Sequence, residues 1–151
     1  MSRKISFRGN IPDGLQNKLS LATINGKTGY RITKFQTFSM SPGNSEDVEL
    51  VCKVFAKDQS GSISATVDFT DADLLAVSFY TSSSSAHGSP EDMIVIFDNE
   101  VFNQDIFVTA TDNSGNAKGT NYYLELETVK LSDVQTTQLT LKNLRAITSR
   151  T

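Results

Sequence analysis

The sequence predicts an all-β protein, an antiparallel β-sandwich of jelly-roll or Greek-key type with about eight or nine strands. Three observations carry that expectation. Apolar and polar residues alternate with period two along most segments, the spacing that sets one face of a strand on a core and the other in water. The 18 serines and 16 threonines suit the solvated faces of antiparallel sheets, and no segment sustains an apolar period of 3.6. Polar, glycine-bearing turns recur roughly every ten to fifteen residues, as in a chain of short strands.

Taken in order, "LATINGKTGYRITKFQTFS" reads as a hairpin: strand, Asn25-Gly26 turn, strand, with Tyr30, Ile32 and Phe35 or Phe38 as large apolar contacts. "DVELVCKVFAK" puts Val48, Leu50, Cys52 and Val54 on one face, and "SISATVDFTD" does the same for Ile63, Ala65, Val67 and Phe69. The "DQSG" between them has hairpin chemistry, so these two segments are expected to pair. "DADLLAVSFYT" reads as a turn and then a strand, and "SSSSAHGSP", residues 82–90, as an exposed loop without an apolar anchor. "MIVIF" and "DIFVTATD" form a further expected pair around the corner "FDNEVF". In "NYYLELETVKL" the apolar parity switches near Glu127-Thr128, which predicts a bulge there, and "TTQLTLKNLRAI" reads as a terminal strand.

The 151 residues contain no repeat and no linker. A single β-sandwich domain is expected over residues 11–151, preceded by a basic N-terminal arm, residues 1–10. A domain of this size hides roughly 68–70% of its unfolded surface and needs no covalent staple. The basic start lacks an apolar core segment, and no apolar run approaches membrane-spanning length, so neither secretion nor insertion is expected.

Net charge is −3 but unevenly spread: residues 1–34 hold seven Lys/Arg against Asp13 alone, and residues 35–151 hold seven against sixteen acids. Either the basic strands pack beside acidic ones within the monomer, or a basic arm bearing Arg3, Lys4 and Arg8 reaches an acidic surface on another protein. Nucleic acid is not an expected partner, because the acidic body would repel phosphate.

The residue chemistry offers little for turnover. His87, the only histidine, sits in the Ser-rich loop with nothing to fix its ring, and one Cys with one His cannot complete a zinc site. Cys52 lies in an apolar strand and reads as a buried, inert thiol. The acids Asp68, Asp71, Asp73, Asp98, Glu100 and Asp105 invite comparison with a glycosidase pair, but the chain has no tryptophan and its aromatics read as core. "DNSGNAKG" is oxygen-rich, yet an EF-hand loop begun at Asp112 would place Tyr123 where a bidentate Glu belongs, so a turn is expected there. Asp98 and Glu100 likewise read as corner residues, bracketed by Phe97, Val101 and Phe102. No enzyme activity, metal or cofactor is expected.

"MIVIFDNEVFNQDIFVTATDNSGNAKGTNYYLELETVKLSDVQTTQLTLKNLRAI", "GYRITKFQ" and "VDFTDADLLAVSFYT" resemble a small virion-protein family of marine T7-like, short-tailed bacteriophages. The resemblance spans roughly residues 29–147, with "IFDNEVFNQDI" and "NYYLELE" its most specific pieces and the N-terminal stretch outside it. It implies a non-enzymatic virion component, made in the host cytoplasm and carried in the particle. A capsid decoration protein bound to the major capsid protein and associating as a homo-oligomer fits best. A neck or tail component near the portal, or a carbohydrate- or receptor-binding β-sandwich, are the alternatives. Partner contacts are expected at Arg3, Lys4, Arg8, Phe97 and Phe102.

Overall fold

Among the residues described by the computed structural model (3–22, 26–40, 47–82, 93–97 and 100–149, side chains excepted at Met93 and over 143–149), nine strands precede one helix. They are β1 (Lys4–Ile11), β2 (Leu15–Leu19), β3 (Thr28–Ser39), β4 (Val48–Phe55), β5 (Leu74–Ser82), β6 (Met93–Ile96), β7 (Val101–Phe102), β8 (Ile106–Asp112), β9 (Thr120–Lys130) and α1 (Asp133–Ser149). The strands form two antiparallel sheets, ordered β1-β9-β3-β7 and β2-β8-β4-β5-β6, so the fold is the all-β sandwich that the alternation predicts.

Pairing is nested. β1 pairs β9, β2 pairs β8, β3 pairs β7 and β4 pairs β5, as if one long hairpin had been rolled up. Rolling it up adds the contacts β3·β9 and β4·β8, which close each sheet across its middle. The inner faces meet over Ile11, Ile32, Phe35, Cys52, Val54, Ile106, Val108, Leu124 and Leu126, all buried, and Thr37 and Ser78 share a 2.8 Å hydroxyl hydrogen bond between the sheets. Gly9 sits opposite Tyr122 in the register, and a Cβ there would lie 2.9 Å from the tyrosine ring and its hydroxyl. The missing side chain is what admits that ring to the core.

Several sequence expectations fail, the first of them through competition for a strand edge. "SISATVDFTD" is not a strand. β4 already has β5 on one edge and β8 on the other, so no edge remains for residues 62–70 to join. They satisfy their backbone locally instead: the Asp68 carboxylate accepts from the Thr70 amide at 2.9 Å and its hydroxyl at 2.6 Å, and the Asp71 amide donates to the Asp68 carbonyl. This segment lies over the outer face of β4. The Thr66 carbonyl accepts from Lys53 Nζ at 2.7 Å, and Val51, Lys53 and Phe55 are buried on the side that period two would leave wet.

Residues 23–25 lie outside the described residues, but the strands on either side of them do not form a hairpin, because β2 and β3 belong to different sheets. Nor do "MIVIF" and "DIFVTATD" pair: β6 is the edge partner of β5, and β8 lies between β2 and β4. "FDNEVF" is therefore a passage between sheets, with Asp98 and Asn99 outside the described residues. The bulge falls in β3 rather than β9: the register slips between Ile32 and Lys34, while β9 runs unbroken through Glu127 and Thr128.

"TTQLTLKNLRAI" is helical, not a strand. Its start is a capping box, Ser132-x-x-Gln135, in which the Gln135 amide donates to Ser132 Oγ at 3.2 Å and the Ser132 amide donates to Gln135 Oε1 at 2.9 Å. The turn-then-strand reading of "DADLLAVSFYT" and the face assigned to Val48, Leu50, Cys52 and Val54 are borne out.

Candidate functional site

The exposed side of the four-stranded sheet follows from register, since residues directly opposite one another share a face. Across β1, β9 and β3 the rows read Lys4·Glu127·Arg31, Ser6·Glu125·Lys34, Arg8·Tyr123·Gln36 and Asn10·Asn121·Phe38. Two carboxylates are engaged: Glu125 by Lys4 at 3.4 Å and by the Tyr123 hydroxyl, which donates at 3.1 Å, and Glu127 by Arg31 at 2.9 Å. The hydrogen bond from Tyr123 holds the Glu125 carboxyl below its ordinary range, with the Lys4 contact adding to it against slight burial. Lys34 Nζ stands 5.9 Å from the centre of the Tyr123 ring. At the other end of this face Arg8, Gln36, Phe38, Asn121 and Tyr123 surround an open hollow of about 720 Å³.

The opposite side of the sandwich carries a different surface. Val67 and Phe69, on the segment that covers β4, are 40% and 58% exposed, and Val95 on edge strand β6 is 37% exposed. Phe69 meets Phe97 edge to face, centroids 5.0 Å apart and planes at 84°. The result is an apolar, aromatic patch beside β6, the terminal strand of its sheet among the described residues.

These surfaces place the residues singled out from the sequence. Lys4 and Arg8 are fixed in β1, not on a free arm, and the Arg3 backbone is tied to Thr128 by bonds of 2.9 and 2.8 Å. The charge asymmetry is largely spent inside the monomer, through Lys4–Glu125, Lys18–Asp105, Lys27–Asp133 and Arg31–Glu127. Phe97 lies in the apolar patch. Phe102 does not reach the surface: it is 7% exposed and stacks on Tyr30 at 6.3 Å, because its strand, β7, turns its side chain into the core.

The acids have structural partners. Asp105 Oδ1 accepts from the Leu21 amide at 2.8 Å and the Ala22 amide at 2.9 Å, with Lys18 Nζ 3.4 Å from Oδ2, and so steers the chain out of β2. Burial alone would raise its carboxyl, but the two amides and Lys18 together hold it below the usual range. Glu100 is bonded to Lys142 of α1. Asp112 closes the "DNSGNAKG" loop, accepting from the Ser114 hydroxyl at 2.6 Å and from the amides of Ser114, Lys118 and Glu49 at 3.0, 2.9 and 3.1 Å. Burial raises this carboxyl and those donors outweigh it, giving a net lowering. Its oxygens serve the turn that the sequence predicts.

Cys52 is fully buried, and burial pushes its thiol well above the ordinary value, as expected of an inert cysteine. His87 lies outside the described residues. Among the described residues no group of three or more His, Cys, Asp or Glu side chains could hold a metal ion, and no helix is long and apolar enough to cross a membrane.

No family model and no curated protein matches the chain. The sequence gives no reason to count Tyr123, Gln36, Asn121 or Phe69 among the partner-binding residues. Tyr123 and Asn121 show as the polar parity of "NYYLELE", but that they adjoin Arg8 follows only from the pairing of β1 with β9.

Proposed function

We propose that this protein is a non-enzymatic component of a phage virion, a decoration protein that seats on the capsid shell through the patch formed by Val67, Phe69, Val95 and Phe97. The observation that carries this reading is that patch: apolar side chains as exposed as Phe69 cost solubility unless a partner covers them. The sequence resemblance to virion proteins supports the class of partner. The nested strand pairing supports a jelly roll, a scaffold that presents both sheet faces and leaves short edges for docking.

In this reading the edge-to-face Phe69–Phe97 pair forms the centre of the contact, and burying both rings in the partner supplies most of its affinity. The protein is synthesised in the host cytoplasm and resides in the particle, where many identical copies meet a symmetric shell. The test is the copy number of this chain in purified particles, with wild type compared to a Phe69→Ser, Phe97→Ser double variant. A number commensurate with the shell lattice, lost in the variant, is expected. A number commensurate with a single vertex would move the protein to the neck or tail, and full attachment of the variant would refute the docking surface.

A further inference from the structure

We propose that the outer face of the four-stranded sheet, centred on Tyr123, is a binding site for an acidic saccharide, a chain bearing carboxylated pyranose units. This surface lies on the side of the sandwich away from the Phe69–Phe97 patch, so it stays open when that patch is covered. Three features point to this ligand class.

The first is an aromatic platform held in place. Tyr123 is fixed by its hydroxyl bond to Glu125 while its ring stays partly exposed, the disposition that stacks against the apolar C–H face of a sugar.

The second is the set of planar polar groups around that ring. Arg8 and Gln36 flank Tyr123 in one row across three strands, a width of about 10 Å at the usual strand spacing. Asn10 and Asn121 form the next row, and because Asn10 Nδ2 donates to Asn121 Oδ1 at 2.8 Å, Asn121 keeps its own NH₂ for a ligand. Among the described residues neither the Arg8 nor the Gln36 side chain has a hydrogen-bond or ion-pair partner, so both present their full donor sets outward. The hollow they border, about 720 Å³, falls in the size range of small-ligand sites.

The third is charge. Among the described residues of these rows, Lys4, Arg8, Arg31 and Lys34 share the face with Glu125 and Glu127 alone, on a protein of formal net charge −3. Lys4 and Arg31 neutralise the two glutamates, which leaves Arg8 as the free guanidinium, whose fork matches a carboxylate in bidentate fashion. A neutral glycan would leave that charge unused.

Calorimetric titration of the full-length protein with trigalacturonate, neutral galactotriose and hexaglutamate tests the proposal. Saturable binding of trigalacturonate at least tenfold tighter than of galactotriose is expected. Arg8→Gln should erase that preference, and Arg8→Lys, which keeps the charge but not the fork, should weaken trigalacturonate binding severalfold. Tyr123→Ala should weaken both sugars, with an unchanged thermal melt showing that the fold is intact. Absence of saturable binding by trigalacturonate, indifference to Arg8→Gln, or equal binding of hexaglutamate would overturn it, the last assigning the face to an acidic protein. The Phe69→Ser, Phe97→Ser variant should titrate like wild type, so failure of the shell-docking reading and failure of this one are distinguishable.

Discussion

Removing the Asp105 carboxylate should cost the protein stability in a pH-dependent way. In Asp105→Ala the amides of Leu21 and Ala22 lose their acceptor and Lys18 loses its ion pair. The Leu21 residue is 5% exposed, so its amide has no ready access to water, and an unsatisfied buried donor costs about 1–3 kcal/mol. Ala22 is exposed and its amide can turn to solvent, while the surface pair with Lys18 contributes about 0–1 kcal/mol. A loss of about 2–3 kcal/mol follows, which for a chain of this length lowers Tm by about 4–12 °C. Asp105→Asn keeps an oxygen acceptor and should lose about 1 kcal/mol.

The folded-state carboxyl is held below its unfolded value of about 3.9. Its contribution is therefore fully present above that value and vanishes as pH falls through the folded pKa. Urea melts followed by circular dichroism at about pH 7 and about pH 3 measure both effects, and the wild-type and Asp105→Ala curves should draw together in acid. A gap under about 0.5 kcal/mol at neutral pH, or one that does not narrow in acid, would show that the carboxylate does not hold the end of β2.

Three further outcomes follow from the packing. Gly9→Ala places a methyl against the Tyr122 ring and hydroxyl and should destabilise by about 1–3 kcal/mol, as read from chemical melts, with Tyr122→Leu in the same chain relieving the clash. Ser132→Ala removes the cap of α1 and should cost about 0.5–2 kcal/mol of helix stability, visible as lost ellipticity at the helix band before the sandwich melts. Cys52 should resist a thiol reagent in native buffer and react at once in denaturant; labelling at the rate of a free thiol in the folded protein would contradict its burial.

The sequence disclosed the residues with strong local signals. The alternation through Val48, Leu50, Cys52 and Val54 is a property of the strand itself, and so is the turn before Leu74 made by Asp71 and its neighbours. The same logic misread "SISATVDFTD", because alternation describes what a strand can bury and says nothing of whether an edge is free to receive it. Asp105 looked like a candidate for chemistry because the amides that occupy it come from residues more than eighty positions away. Phe102 looked like an exposed corner because a two-residue strand gives too little pattern to show which way its rings point. The helix was legible in the Ser132-x-x-Gln135 signature, but Leu139 and Leu141 drew the reading toward a strand.

What the sequence determined by itself was the layered, all-β character of the protein and the identity of much of its core, because burial on a pleated sheet imposes a period that local composition must obey. Only the tertiary structure decided which strands are neighbours, and with that which side chains share a surface. Pairing partners such as Arg8 and Tyr123 stand more than a hundred residues apart, and their meeting depends on competition among all the strand edges at once. That competition is a property of the whole chain and leaves no mark at either residue.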